Sequence, residues 1–104
     1  KIMPFIKTDA TYYGPKAKYI EVYANCTPYN GNAHLYAGVY LVRGTTGRIV
    51  VHNKVVGING HMDFRNNIRI YPTDERGTYY VKVEWYSASG KLLYSAQKTI
   101  YLVK

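Results

Sequence analysis

His61-x-Asp63 is the first pair in this chain whose spacing could do chemistry, because residues two apart on a strand point to the same face. His34 and His52 could add ligands. Two ligands at that spacing do not make a zinc site, however, and a single cysteine excludes a thiolate cluster. The expectation is therefore no metal and no cofactor, with the histidines exposed at strand ends. Nucleophilic catalysis has no better footing: no G-x-S-x-G turn is present, and Cys26 falls on the apolar side of its segment, where it reads as a small core residue. A reactive thiol or an intermolecular disulfide is the alternative for Cys26, since no intrachain partner exists. Glu84, His61 and Arg69 could be cast as the acid, base and cation of a small cationic ribonuclease, but nothing in the sequence brings them together. Phosphate-cradling glycine motifs are absent, only six carboxylates are available, and no catalytic residue is expected. Asn25-Cys26-Thr27 matches a glycosylation sequon that a buried strand would hide.

What remains is aromatic plus basic. Tyrosine accounts for 13 of 104 residues, against two phenylalanines and one tryptophan. So many rings cannot all enter a core of this size, and several must stand on the surface, each with an apolar body and a polar tip. Fourteen Lys and Arg against six Asp and Glu give a formal charge of +8, a field that attracts phosphates, wall polymers, acidic glycans and anionic headgroups. The basic residues are dispersed, so no polybasic arm or address signal is visible. If the third, sixth and seventh strands share a sheet, its outer face carries Tyr36, Tyr40, Tyr80, Lys82 and Tyr86. Rings interleaved with a cation suit stacking on sugars or bases. The same face would equally serve a protein interface, a homodimer or plain cross-strand pairing.

The elements that must position these residues are strands. The chain is one domain in length, globular in composition, and has no apolar run approaching the roughly 18 residues that span a bilayer. No internal repeat, linker or low-complexity tract appears. Helical periodicity is poor, whereas alternation of period two recurs between turn signals at Gly14-Pro15, Asn30-Gly31, Gly44 to Gly47, Asn59-Gly60, Asp74 to Gly77 and Ser89-Gly90. Seven strands follow: Ile2 to Tyr12, Ala17 to Cys26, Ala33 to Arg43, Arg48 to Val56, Met62 to Tyr71, Thr78 to Tyr86 and Lys91 to Val103. Pro4 suits the first to an edge. Ile20, Val22, Ala24 and Cys26 share an inner face, as do Leu35, Ala37, Val39 and Leu41, and Tyr79, Val81, Val83 and Trp85. Asn53-Lys54 could split the fourth strand, and Asn66-Asn67 could mark a bulge in the fifth. A two-residue turn at Ser89-Gly90 sets Trp85 opposite Tyr94, Val83 opposite Ala96 and Tyr79 opposite Ile100. It also turns Lys98 inward opposite Val81, and a bulge near Gln97 is the expected release.

Asp74-x-x-Gly77-x-Tyr79-x-Val81 resembles the corner of immunoglobulin-like domains where a tyrosine hydroxyl reaches back to the backbone as the penultimate strand begins. The cysteine that antibody domains place two residues later is Val81 here, and the third strand has no tryptophan. The resemblance is therefore closer to bacterial immunoglobulin-like and fibronectin-type modules. It covers Asp74 to Val103 and implies an all-β, immunoglobulin-like antiparallel β-sandwich, with an OB-type barrel as the alternative. It carries no specific function, because this fold hosts many.

The reading is a secreted or cell-surface, non-enzymatic binding module contacting an anionic polymer (cell wall, glycan or nucleic acid) or a protein partner, without a transmembrane segment. Lys1 is read as following a removed leader or as the start of an excised piece. The alternatives are a secreted effector, either an enzyme inhibitor presenting His52 to His61 as bait or a cationic antimicrobial protein, and then the small ribonuclease-like hydrolase.

Overall fold

The computed structural model describes residues 3–27, 35–58 and 63–104. Alternating apolar residues pair into eight strands: β1 (Met3–Thr8), β2 (Tyr12–Tyr13), β3 (Tyr19–Thr27), β4 (Leu35–Arg43), β5 (Ile49–Ile58), β6 (Phe64–Arg69), β7 (Gly77–Tyr86) and β8 (Leu92–Leu102). They form two sheets, one of three strands in the order β1-β3-β6 and one of five in the order β2-β8-β7-β4-β5. This is an immunoglobulin-like β-sandwich. Among the described residues no helix is long and apolar enough to cross a membrane.

The inner faces are the ones the alternation dictates. Ile20, Val22, Ala24 and Cys26 of β3 meet Leu35, Ala37, Val39 and Leu41 of β4 and Tyr79, Val81, Val83 and Trp85 of β7 in one buried cluster. Trp85 is fully enclosed and takes the edge of Phe64 from the opposite sheet, with ring centroids 6.2 Å apart. Burial raises the Cys26 thiol to about 11, so this sulfur is a core atom rather than a nucleophile.

The corner before β7 forms as the resemblance implies. The Tyr79 hydroxyl donates to the Glu75 carbonyl at 2.7 Å. Arg43 completes it, a role the sequence did not reveal. Its guanidinium lies 4.9 Å from the Tyr79 ring centroid, donates to the Arg76 carbonyl at 3.1 Å and pairs with Glu75 at 3.2 Å. Gly77 sits at φ 135° with Arg43 against it, a place where any Cβ would be strained and crowded.

The first expected strand is two. The chain leaves the three-stranded sheet after Thr8 and returns as β2, which pairs in parallel with β8 at the edge of the other sheet. Tyr13 fixes this crossing: its ring is buried, and its hydroxyl donates to Asp9 Oδ1 at 2.7 Å and accepts from the Ala10 amide at 3.1 Å. Desolvation first, and then the bond to Asp9, raise its pKa and hold it neutral.

Three further expectations are corrected. β6 pairs with β3 in unbroken register through Asn66 and Asn67, so no bulge lies there. Asn66 keeps its inward place because Asn53 of β5 donates to it at 2.9 Å, and Asn53, far from splitting β5, pairs with Val39 inside one continuous strand. β7 and β8 likewise run in register past Lys98, with no bulge near Gln97. The lysine stem carries its ammonium to the neighbouring sheet, where Nζ donates to Thr8 Oγ1 at 2.7 Å. The bulge falls instead between the Trp85 and Tyr86 pairs. Ser87 and Lys91 close a loop in which Gly90 adopts φ 93°. That longer loop and the bulge cancel, so Trp85 still faces Tyr94, Val83 faces Ala96 and Tyr79 faces Ile100. The turns at Asn30-Gly31 and Asn59-Gly60 lie outside the described residues.

Candidate functional site

The sandwich presents two outer faces, and both carry tyrosine with cations. On the five-stranded sheet, β4 and β7 pair so that Tyr36 stands opposite Tyr86, Tyr40 opposite Lys82, and Gly38 opposite Glu84. Tyr80, facing Val42, completes the set, so the structure brings Tyr36, Tyr40, Tyr80, Lys82 and Tyr86 onto one surface. A Cβ on Gly38 would fall 2.6 Å from the Tyr40 hydroxyl, which means that the Tyr40 ring lies flat over the space the missing side chain leaves.

Tyr36, Tyr40, Lys82 and Tyr86 are occupied with one another or with near neighbours. The Tyr36 and Tyr86 rings stack at 5.2 Å, and Tyr40 stacks on His52 of β5 at 4.4 Å. His52 is therefore a mid-strand partner rather than a strand-end or bait residue. The Tyr86 hydroxyl donates to Glu84 Oε1 at 2.6 Å and lies 3.5 Å from the Tyr40 hydroxyl. Its bond to Glu84, then that to Tyr40, raise the Tyr86 pKa and keep the phenol protonated. Glu84 also holds Lys82, at 3.5 Å. The cation expected to attract a ligand is thus compensated in place, whereas Lys54, 4.7 Å from the Tyr36 ring centroid, has no ion pair among the described residues.

The three-stranded sheet is different. Register places Lys7, Tyr23 and Arg65 in one row across β1, β3 and β6. The next row holds Glu21 opposite Asn67, and the one after it Tyr19 opposite Arg69. The Arg65 guanidinium lies 5.2 Å from the Tyr23 ring centroid, and Arg69 sits 5.2 Å from the centroids of both Tyr19 and Tyr71. Among the described residues no carboxylate forms an ion pair with Lys7, Arg65 or Arg69. Phe5 leans on Tyr23 at 6.1 Å. An open groove of about 570 Å³ on this sheet is lined by Lys7, Asp9, Glu21, Tyr23, Arg65 and Asn67 among others. Stacking on a ring holds a guanidinium flat while leaving its N–H edge free to grip a planar anion.

The inner face read for Ile20, Val22, Ala24 and Cys26 leaves Tyr19 and Tyr23 on the outer one, but the sequence did not reveal this site. The period-two pattern of β3 was its only signal, because Arg65 and Arg69 become its neighbours solely through the pairing of β3 with β6. The ribonuclease trio is not assembled: Glu84 lies on the outer face of one sheet and Arg69 on that of the other, while His61 is outside the described residues. His34, too, is outside them, so His61-x-Asp63 and any ligand from His34 cannot be placed. Among the described residues no three His, Cys, Asp or Glu side chains converge on a metal position.

No protein-family model matches the chain, and no curated protein does. Among solved structures it is similar to the CARDB domain of a Pyrococcus furiosus protein crystallised in complex with di-metal ions, with a TM-score of 0.61 and 15% identity over 99% of this chain and 88% of that one. At that identity the likeness bears on the fold alone.

Proposed function

We propose that this chain is a non-enzymatic binding module of the cell exterior, working by contact with an anionic envelope polymer held on the outer face of the three-stranded sheet. The observation that carries this reading is the charge state of the two faces. Lys7, Arg65 and Arg69 stand on the first with no ion pair among the described residues, whereas Lys82 on the second is held by Glu84. An overall +8 adds long-range attraction for any polyanion.

Binding of this kind is driven by released counterions. With three cations engaged, log K should fall with log salt at a slope of roughly −2.1 to −2.7 on a polymer of nucleic-acid-like charge density, so affinity drops about 20- to 40-fold from 50 to 200 mM salt. Fluorescence titration or calorimetry with purified envelope polymer and with heparin over that range measures it. A flat salt response, or no binding at the low-salt end, contradicts the reading.

A second reading concerns the tyrosine plate. The rings of Tyr36, Tyr86, Tyr40 and His52, already stacked in pairs, suit a protein partner, because little side-chain freedom is lost on docking. A second copy of this chain is the poorer candidate, since two bodies of +8 repel.

A further inference from the structure

The groove on the three-stranded sheet is more selective than a patch of positive charge. We infer that it takes an acidic polysaccharide, a chain in which carboxylate-bearing sugars are interspersed with neutral hydroxyls, in preference to a uniform polyphosphate or a nucleic acid. The inference rests on the reading that this face binds an anionic polymer.

The distinction comes from what lies between the cations. The row formed by Lys7, Tyr23 and Arg65 is followed by Glu21 and Asn67, and only then by Arg69 with Tyr19. Arg65 and Arg69 are four residues apart on β6, a separation of roughly 13 Å along a strand. A backbone carrying a phosphate at every residue would have to lay one of them against the exposed Glu21 carboxylate, which the two arginines flank. A sugar chain meets the same place with hydroxyls. These donate to Glu21 and exchange bonds with the Asn67 amide, and a hydroxyl-to-carboxylate bond is of the stronger, charge-assisted kind.

The surface beyond the groove, in line with its rows on β3 and β6, suits sugars as well. Tyr19 and Tyr71 are each about half exposed, at 48% and 51%, and they flank Arg69 on two sides. Their rings offer flat apolar surface to the C–H face of a pyranose, while the guanidinium between them presents a fork that matches a carboxylate. Phe5, 43% exposed, offers the same kind of surface beside Tyr23. Asp9 is built into the wall: its Oδ1 accepts from the Glu21 amide at 3.1 Å and from Tyr13.

The test is the sign of one substitution against two probes. Glu21→Gln keeps the shape of an exposed side chain and removes its charge. Calorimetry at 50 mM salt compares polygalacturonate with inorganic polyphosphate, and single-stranded DNA serves as a third arm. Wild type should bind polygalacturonate more tightly than either of the others. Glu21→Gln should weaken polygalacturonate by about fivefold, through loss of a charge-assisted bond, and tighten polyphosphate by a comparable factor, through loss of repulsion. Should the variant tighten all three polymers, or change none, the polysaccharide assignment is overturned while the anionic-polymer reading stands. Stronger wild-type binding of DNA or polyphosphate overturns it too. Failure of the wild type to bind any of the three removes the anionic-polymer reading itself.

Discussion

Trp85→Ala should cost the domain about 3–5 kcal/mol, the range for removing a buried aromatic, and lower its melting temperature by roughly 10–30 °C. Trp85 has no solvent exposure, stands between Ala37 on β4 and Tyr94 on β8, and takes the edge of Phe64 across the sandwich. No neighbour can collapse into the space it would leave, because the partners that surround it are themselves fixed in two sheets. Total stability for a domain of this size is about 5–15 kcal/mol, so the variant should be marginal at 37 °C. Thermal unfolding followed by far-ultraviolet circular dichroism measures this without relying on the indole. Trp85→Phe, which keeps a ring against Phe64, should lose markedly less. A fall of only a few degrees in Trp85→Ala would place the indole outside the core and remove the two-sheet packing as described.

The second large effect is on binding. Arg65→Glu combined with Arg69→Glu removes two of the three cations that stand on the three-stranded face without an ion pair among the described residues, and adds two repulsions beside Glu21. Affinity for heparin at 50 mM salt should fall by roughly a hundredfold or more, and the salt slope should shrink toward zero. The fold should survive, because each side chain projects from an outer face. The paired control is Tyr80→Ala with Tyr86→Ala on the other sheet. It opens the tyrosine plate and frees Glu84, yet polyanion affinity should stay within about twofold, since Lys82 was already compensated. The outcome reversed, with the tyrosine variant losing affinity and the arginine variant retaining it, would move the polymer to the five-stranded face.

The particular residues show why some of this was legible in the sequence and some was not. Tyr79, Val81, Val83 and Trp85 announce a half-buried strand by alternation alone, and the register with β8 follows from a nearby turn, so both are local properties. The register survived an incorrect turn, because the longer Ser87–Lys91 loop and the bulge after Trp85 offset one another. The Tyr79 hydroxyl was readable from the residues just before it, whereas its partner Arg43 lies far back in sequence and only pairing of β4 with β7 brings it close.

The errors share a cause. Lys98 and Asn66 looked out of place on inward positions because their partners, Thr8 and Asn53, belong to other strands. The alternation was sound, and the polar residues were satisfied across the gap between sheets. Tyr36, Tyr40, Tyr80, Lys82 and Tyr86 could be gathered by assuming one sheet, but the compensation of Lys82 by Glu84 could not be foreseen, since same-strand neighbours two apart need not touch. Arg65 and Arg69 were invisible as partners of Tyr23 and Tyr19 because nothing in either segment says that β6 lies beside β3.

A chemical-shift map separates the two faces in one measurement. Titrating isotope-labelled domain with a short acidic oligosaccharide at low salt should move the backbone amides of Lys7, Glu21, Tyr23, Arg65, Asn67 and Arg69 together and reverse on adding salt, with Tyr36, Tyr40 and Tyr80 unmoved. Shifts confined to the tyrosine plate, or spread evenly over both sheets, would contradict a built site on the three-stranded face.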